Sequence, residues 1–188
     1  MPKFNKFASF TNLIEPFLND DGSFGVHLKT ALDADDALLD ADERSFVDSV
    51  RTNGWFATHF LEDSDGPGFS YTTGFWHKFA FPELILFALP KEVAHGIFWN
   101  FYNDLEAQKR FVVNEPISEV LSGYDVIIRE VRPGHFAEYL GWNRWFYGGD
   151  NFKACQVFFP DKSGRFPWSE DASPEFSQLQ PNLAGKMD

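Results

Sequence analysis

The sequence predicts an α+β fold in a single domain, with a mainly antiparallel sheet packed against one long amphipathic helix and one or two shorter helices. Short β-branched and aromatic runs at 55–61, 69–74, 84–88, 124–131 and 154–159 read as strands. The first two are joined by the polar turn Glu62 to Gly68, of the hairpin kind. Between Pro90 and Gln108, Val93, Ala94, Ile97, Phe98, Phe101, Tyr102 and Leu105 fall on one helical face. A chain of 188 residues is long enough for one core and needs no staple.

Residues 1–40 read as an extension, 41–168 as the α+β domain and 169–188 as a polar, mobile tail. In the extension, Phe4, Phe7, Phe10, Ile14, Phe17 and Leu18 recur at helical spacing that Pro16 interrupts, Asp20-Asp21-Gly22 is a turn, and Ser23 to Lys29 is a strand candidate. The acidic run Asp33, Asp35, Asp36, Asp40, Asp42 and Glu43 suggests a calcium loop. Leu38 stands where that loop needs Gly and Arg44 where it needs Glu, so the motif fails. Asp40 and Glu43 instead have capping-box spacing for a helix with Phe46, Val47 and Val50 as its stripe, ended by Asn53-Gly54.

The strand from Trp55 to Leu61 puts Trp55, Ala57 and His59 on one face and Phe56, Thr58 and Phe60 on the other. Phe69 to Gly74 returns, Phe75 to Glu83 connects, and the apolar run Leu84 to Ala88 is an inner strand. Pro90 suits the first helical position of the long helix, whose His95, Asn103 and Glu106 lie toward the polar side. Tyr124 to Val131 is a strand stopped by Arg132-Pro133-Gly134, and a short helix covers Phe136 to Leu140. Trp142 to Asp150 reads as an aromatic loop, Ala154 to Phe159 as the last strand, and Pro160 to Gly164 as a turn.

Composition narrows the function classes. The lone Cys155 excludes an intramolecular disulfide and a cysteine-rich zinc site, which suits a reducing cytosol. No stretch reaches membrane-spanning length, and the N-terminus lacks the unbroken apolar region of a signal peptide. A net charge of −12 repels phosphate backbones and favours a basic protein partner. The 23 Phe and 6 Trp exceed what one small core holds, so some should line a pocket or a partner surface.

Catalytic signatures are absent. The histidines, His27, His59, His77, His95 and His135, lack metal-ligand spacing, so neither a metal nor a cofactor is expected. Cys155 lies in an apolar strand and reads as an inert buried thiol. There is no nucleophile elbow and no phosphate or dinucleotide loop. The densest set of distinctive residues is Tyr71, Thr73, Trp76, His77 and Glu83 with Trp142, Trp145, Asp161, Arg165 and Trp168, the candidate binding residues. Glu83 beside Arg165 would be either a functional acid with a paired cation or an ion pair pinning the C-terminal turn, the latter favoured. Asp161 at the head of a Gly-containing turn reads first as a backbone acceptor.

Three segments carry a resemblance. Asn53-Gly54-Trp55, the pair Tyr71-Thr72-Thr73-Gly74-Phe75 and Pro82-Glu83-Leu84, and Pro160-Asp161-Lys162-Ser163-Gly164-Arg165-Phe166-Pro167-Trp168 occur in the order and spacing of a bacterial family known as domain of unknown function 4262. The chain resembles that family over roughly residues 45–168. It departs where the family has histidines, carrying Asn53 and Phe81 instead. The resemblance implies a fold boundary and no reaction. On the residues alone, the favoured reading is a cytoplasmic interaction protein, in its sharpest form an immunity protein that neutralises a basic toxin through an acidic and aromatic surface. The rival is a small-molecule-binding protein or enzyme with an aromatic pocket around Tyr71, Glu83 and Arg165.

Overall fold

The computed structural model describes residues 15–18, 24–27, 29–64 and 66–185. Strands β1 (Glu15–Leu18) and β2 (Phe24–His27) form an antiparallel pair. The main body runs α1 (Ala41–Asn53), β3 (Phe56–Phe60), β4 (Phe69–Thr73), α2 (Phe75–Phe79), β5 (Glu83–Phe87), α3 (Lys91–Glu106), β6 (Pro116–Leu121), β7 (Tyr124–Glu130), α4 (Phe136–Tyr139), α5 (Gly141–Phe146), β8 (Ala154–Phe158) and α6 (Pro174–Leu179).

Strands β3 to β8 make one sheet in the order β3-β4-β5-β8-β7-β6. All neighbours are antiparallel except β5 and β8. This parallel pair sits at the centre, with all five residues of each strand buried, which is why both read as nearly unbroken apolar runs. Alternation sends Leu84, Leu86, Cys155 and Val157 to one face, against Ala94, Ile97, Phe98 and Phe101 of α3. Ile85, Phe87 and Ala154 go to the other, against α1 (Phe46, Val47, Val50), Phe136 of α4 and Trp145 and Phe146 of α5. The predicted α+β architecture is the observed one, with the long helix on one face and shorter helices on the other.

Helix α1 starts as expected. The Asp40 carboxylate accepts from the Asp42 and Glu43 amides at 3.0 and 2.9 Å, and Glu43 reaches back to the Asp40 amide at 2.8 Å. Gly54 ends it in the left-handed conformation, φ +80°. The strand after it divides its faces as predicted, with Trp55 and Ala57 toward α3 and Phe56 and Phe60 toward α1.

Several expectations need correction. Residues 15–18 are a strand, where the spacing of Phe17 and Leu18 predicts a helix. Pro16 has no N–H for a helix interior but is tolerated in a two-stranded pair, where both strands are edges. Phe4, Phe7, Phe10, Ile14 and the turn at Asp20 to Gly22 lie outside the described residues. Within the connection 75–83, residues Phe75–Phe79 form α2. Pro90 is the N-cap of α3 rather than its first residue. Strand β6 has no counterpart in the sequence reading, because a register shift between Ile117 and Leu121, with Glu119 at φ +72°, breaks the alternation. Trp142 to Asp150 is a loop only from Tyr147 onward. Gly141–Phe146 is helical because Asn143, Phe146 and Tyr147, at helical spacing, all turn inward.

The described residues 29–40 and 169–185 are tied to the body as well. Thr30, Ala31 and Leu39 are buried, and Arg51 of α1 donates to the Leu32 carbonyl at 3.0 Å and the Asp36 carboxylate at 2.9 Å. Where composition predicts a mobile tail, residues 169–185 pack down. Gln156 donates to the Pro181 carbonyl at 2.7 Å and accepts from the Leu183 amide at 3.0 Å. Gln180 makes the same two-sided clasp with Phe159, at 3.0 and 3.2 Å. Two buried glutamines thus stand in for peptide groups and seat Leu183 in the core.

Candidate functional site

Strand β4 stops at Thr73 because Gly74 turns the chain sharply. Its φ is +116°, and a Cβ there would lie 2.6 Å from the Gly54 carbonyl oxygen, so only glycine fits. The turn leaves the first amides of α2 without sheet partners, and Glu83, opening β5, fills the gap. Its Oε1 accepts from the Gly74 amide at 2.8 Å and the Trp76 amide at 3.0 Å, and from the Tyr147 hydroxyl. Its Oε2 accepts from the Thr72 hydroxyl at 2.6 Å, and that hydroxyl oxygen accepts from the Leu84 amide at 2.9 Å. Asn143 closes the ring. It accepts from the Thr73 hydroxyl and donates to the Thr72 carbonyl at 3.0 Å.

Glu83 is wholly buried and no cation is among these partners. Desolvation therefore dominates and pushes its carboxyl up to about 7, against four donors that favour the ionised form. Tyr147 is held well above its ordinary value by burial and by the adjacent Glu83, so its phenol remains a donor. The pair can hold or release a proton near neutrality. With both side chains buried, it presents nothing to a substrate.

The ten predicted residues divide between two regions. Near this centre, Glu83 itself, the Trp76 amide and the Thr73 hydroxyl take part directly. His77 is exposed and contributes its amide, which reaches the Tyr147 oxygen at 3.3 Å. Tyr71 is buried on the α1 side, its hydroxyl accepting from the Trp142 amide at 3.3 Å. Trp142 stacks on Phe46 at 4.8 Å, with Trp145 edge-on to it at 5.5 Å. These are core contacts.

Asp161, Arg165 and Trp168 lie elsewhere. Glu83 pairs with Ala154 at the start of β8, while the Asp161 turn follows the far end of that strand, about 13 Å along. Arg165 binds Asp161 and not Glu83: the carboxylate takes the guanidinium at 2.8 Å and the Arg165 and Ser163 amides at 3.0 and 2.8 Å. The Arg165 contacts hold the Asp161 carboxyl below its ordinary value. Trp168 stacks on Phe166 at 5.0 Å and lies 5.3 Å from the Arg129 guanidinium. The expected Glu83–Arg165 pair does not form, and Tyr71, Glu83 and Arg165 do not share a pocket.

Thr72, Asn143 and Tyr147 are the polar partners that sequence reasoning missed. The four-residue spacing of Asn143 and Tyr147 was the available signal, and reading that segment as a loop hid it. Cys155 is buried in β8, and desolvation lifts its thiol to about 12, which makes it unreactive. Among the described residues no three His, Cys, Asp or Glu are placed to hold a metal ion, and no helix is long and apolar enough to cross a membrane.

Two surface regions stand out. Leu38, 77 % exposed, sits between Asp36 and Asp40 on a ledge of exposed acids that includes Asp33, Asp35, Asp42 and Asp48. On the opposite face of the sheet, Trp55 is roofed by His95 at 5.3 Å and Tyr102 at 5.8 Å, and Trp99 stacks on Tyr102 while 49 % exposed.

No curated protein and no solved structure matches the chain. A family model described as Domain of unknown function (DUF4262) matches residues 49–173, which takes in β3 to β8, the Glu83 centre and the Asp161 turn. The match spans well over half of the 188 residues, and the chain belongs to the DUF4262 family.

Proposed function

We propose that this chain is a recognition protein that binds a basic protein partner, with neutralisation of a toxin in the bacterial cytoplasm as the specific role. The observation that carries this reading is the ledge at residues 33–48, an exposed apolar side chain flanked along the chain by exposed carboxylates. Of these, Asp36 and Asp48 share Arg51, and Asp33, Asp35, Asp40 and Asp42 have no cation paired with them among the described residues. Leu38 projects from a 3-10 turn whose N-cap, Asp35, holds the Ala37 amide at 3.0 Å, and Arg51 anchors the turn to α1. A prearranged backbone lowers the ordering cost of binding, and clustered acids raise the rate at which a cation-rich partner is captured. The net charge of −12 acts in the same direction. The capping roles of Asp33, Asp35 and Asp40 give the acids a folding purpose too, and that purpose is what fixes them in place.

Chemistry at Glu83 has less support, since its carboxyl is sealed and all its hydrogen-bond partners belong to the fold. The test is co-expression with the product of the neighbouring gene, followed by titration calorimetry at low and high salt. The expected result is a complex that weakens with salt and weakens at least about tenfold in Leu38→Ala/Asp42→Asn, as loss of one apolar anchor and one steering charge implies. Neither side chain caps a helix. Absence of a complex together with absence of protection from the toxin domain overturns the proposal.

A further inference from the structure

One buried cation of the sheet has no anion. Arg129 of β7 is 5 % exposed, and among the described residues no carboxylate pairs with it. Burial alone moves its guanidinium below the ordinary value, with no neighbouring acid to oppose the shift. A buried charge ordinarily has a partner, because lost hydration must be replaced. The Phe158 and Trp168 rings, 5.9 and 5.3 Å from the guanidinium, replace part of it. Its donors are unevenly used. Nη2 donates to the Gly185 carbonyl at 3.0 Å, Nε is sealed without a partner, and Nη1 is neither bonded nor sealed. A second guanidinium approaches the same glycine. Arg132 lies against Gly185 so closely that a Cβ there would fall 2.3 Å from its Nη2. Asn182 fixes that glycine, donating to its carbonyl at 2.8 Å and accepting from its amide at 3.1 Å. Measured through Gly185, the two guanidiniums are no more than about 9 Å apart. The chain has 28 acidic residues against 16 basic ones, yet none of the described acids comes to this pair.

We propose that Arg129 and Arg132 form a binding site for a small oxyanion, a carboxylate or phosphate group. The exposed Arg132 attracts the anion, and the open Nη1 of Arg129 receives it against a guanidinium already held in place by Gly185 and two rings. Such a preset planar donor suits an oxyanion, and partial burial strengthens the attraction. The nearby Arg165 cannot serve in the same way, since Asp161 already occupies it. The same chemistry has two sources. One is a free anion. The other is Asp188, three residues beyond Gly185, which about 10 Å of extended chain brings within reach.

Thermal unfolding of the full chain in increasing sodium phosphate, against sodium chloride of equal ionic strength, tests this. Exclusion of phosphate from the protein surface raises the midpoint steadily in every variant, whereas an occupied site adds a saturable rise. A saturable rise in the wild type identifies a free anion as the ligand. A saturable rise that appears only in Asp188→Asn identifies the chain's own carboxylate as the occupant that phosphate replaces. In whichever protein responds, Arg132→Gln is expected to raise the half-saturating phosphate concentration at least about tenfold, as loss of one of two cations implies. Arg110→Gln makes the same charge change at an exposed position after α3 and is expected to leave the response intact. Nitrogen-15 spectra of the arginine side chains give a second readout, in which the sealed Arg129 Nε–H resonance is expected to move with the same half-saturation. A saturable rise in neither the wild type nor Asp188→Asn overturns the proposal, as does one that Arg132→Gln leaves at full strength.

Discussion

Replacing Glu83 by Gln should change how stability depends on pH more than it changes stability itself. In the folded chain the Glu83 carboxyl titrates at about 7 against an ordinary value of 4.5, because burial penalises the charge more than the Thr72, Tyr147, Trp76 and Gly74 donors reward it. A folded-state value above the unfolded one means the folded state binds the proton more tightly. The stabilisation is complete below 4.5 and disappears as pH rises through about 7. At about 1.4 kcal/mol per tenfold in proton affinity, the interval from 4.5 to about 7 amounts to about 3 kcal/mol. Glutamine keeps an oxygen for the two amides and the Tyr147 hydroxyl but cannot ionise, so the variant lacks this component. Urea denaturation followed by tryptophan fluorescence, run between pH 4.5 and 8 on both proteins, reads the difference directly, since other titrating groups far from Glu83 cancel. The stability difference should move by about 3 kcal/mol in favour of Glu83→Gln across that range. Parallel curves would refute the reasoning. A difference of opposite sign would mean that the four donors outweigh burial and keep the carboxylate charged into the acid range.

Two further substitutions probe the same centre. Tyr147→Phe removes a donor to Glu83 while keeping the ring on Phe152, and should cost about 1–3 kcal/mol. It should also raise the pH at which the Glu83 component is lost, read from the same denaturation series as an upward shift of the inflection. Arg165→Ala breaks only the exposed pair with Asp161, so the urea midpoint and the Glu83 inflection should both stay where they are. A moved inflection in that variant would couple Arg165 to Glu83 after all.

The sheet was legible because its strands obey the simplest rule available, alternation or unbroken apolarity between turn residues. Trp55 and Ala57 face α3, and Phe56 and Phe60 face α1, as period-two reading requires. The capping box at Asp40 was equally plain, because both halves of that motif are local. Misreadings arose where a non-local partner outweighs local composition. Strand β6 hides behind a backbone irregularity that only its pairing with β7 reveals. The tail from 169 is polar, yet Gln156 and Gln180 bond its backbone groups from the sheet side, an exchange that composition cannot show. Aromatic crowding at 142–147 suggested a displayed surface. The rings instead fill the space under α1, with Trp142 flat against Phe46 and Phe146 edge-on to the same ring.

The Glu83 centre explains why the stretch 71–84 carries so many unusual residues without being an active site. A strand that ends at a tight glycine turn next to a short helix leaves buried amides that no sheet neighbour can satisfy. An acid arriving at the start of the next strand satisfies two of them with one oxygen. That arrangement holds only if the acid is fixed, and Thr72, Tyr147 and, through Thr72 and Thr73, Asn143 fix it from β4 and from α5 with its following residue. The network therefore joins three successive elements, β4, α2 and β5, to a helix some seventy residues later. Its members are half of a folding code, since any slip of β4 against β5 would leave a buried carboxylate or several amides unpaired, at about 1–3 kcal/mol each. Residue types that resemble catalytic equipment are thus spent on register. What remains free to act on other molecules is the exterior, and there the chain offers two unlike surfaces on separate elements, an acidic ledge before α1 and the half-exposed Trp99 on α3.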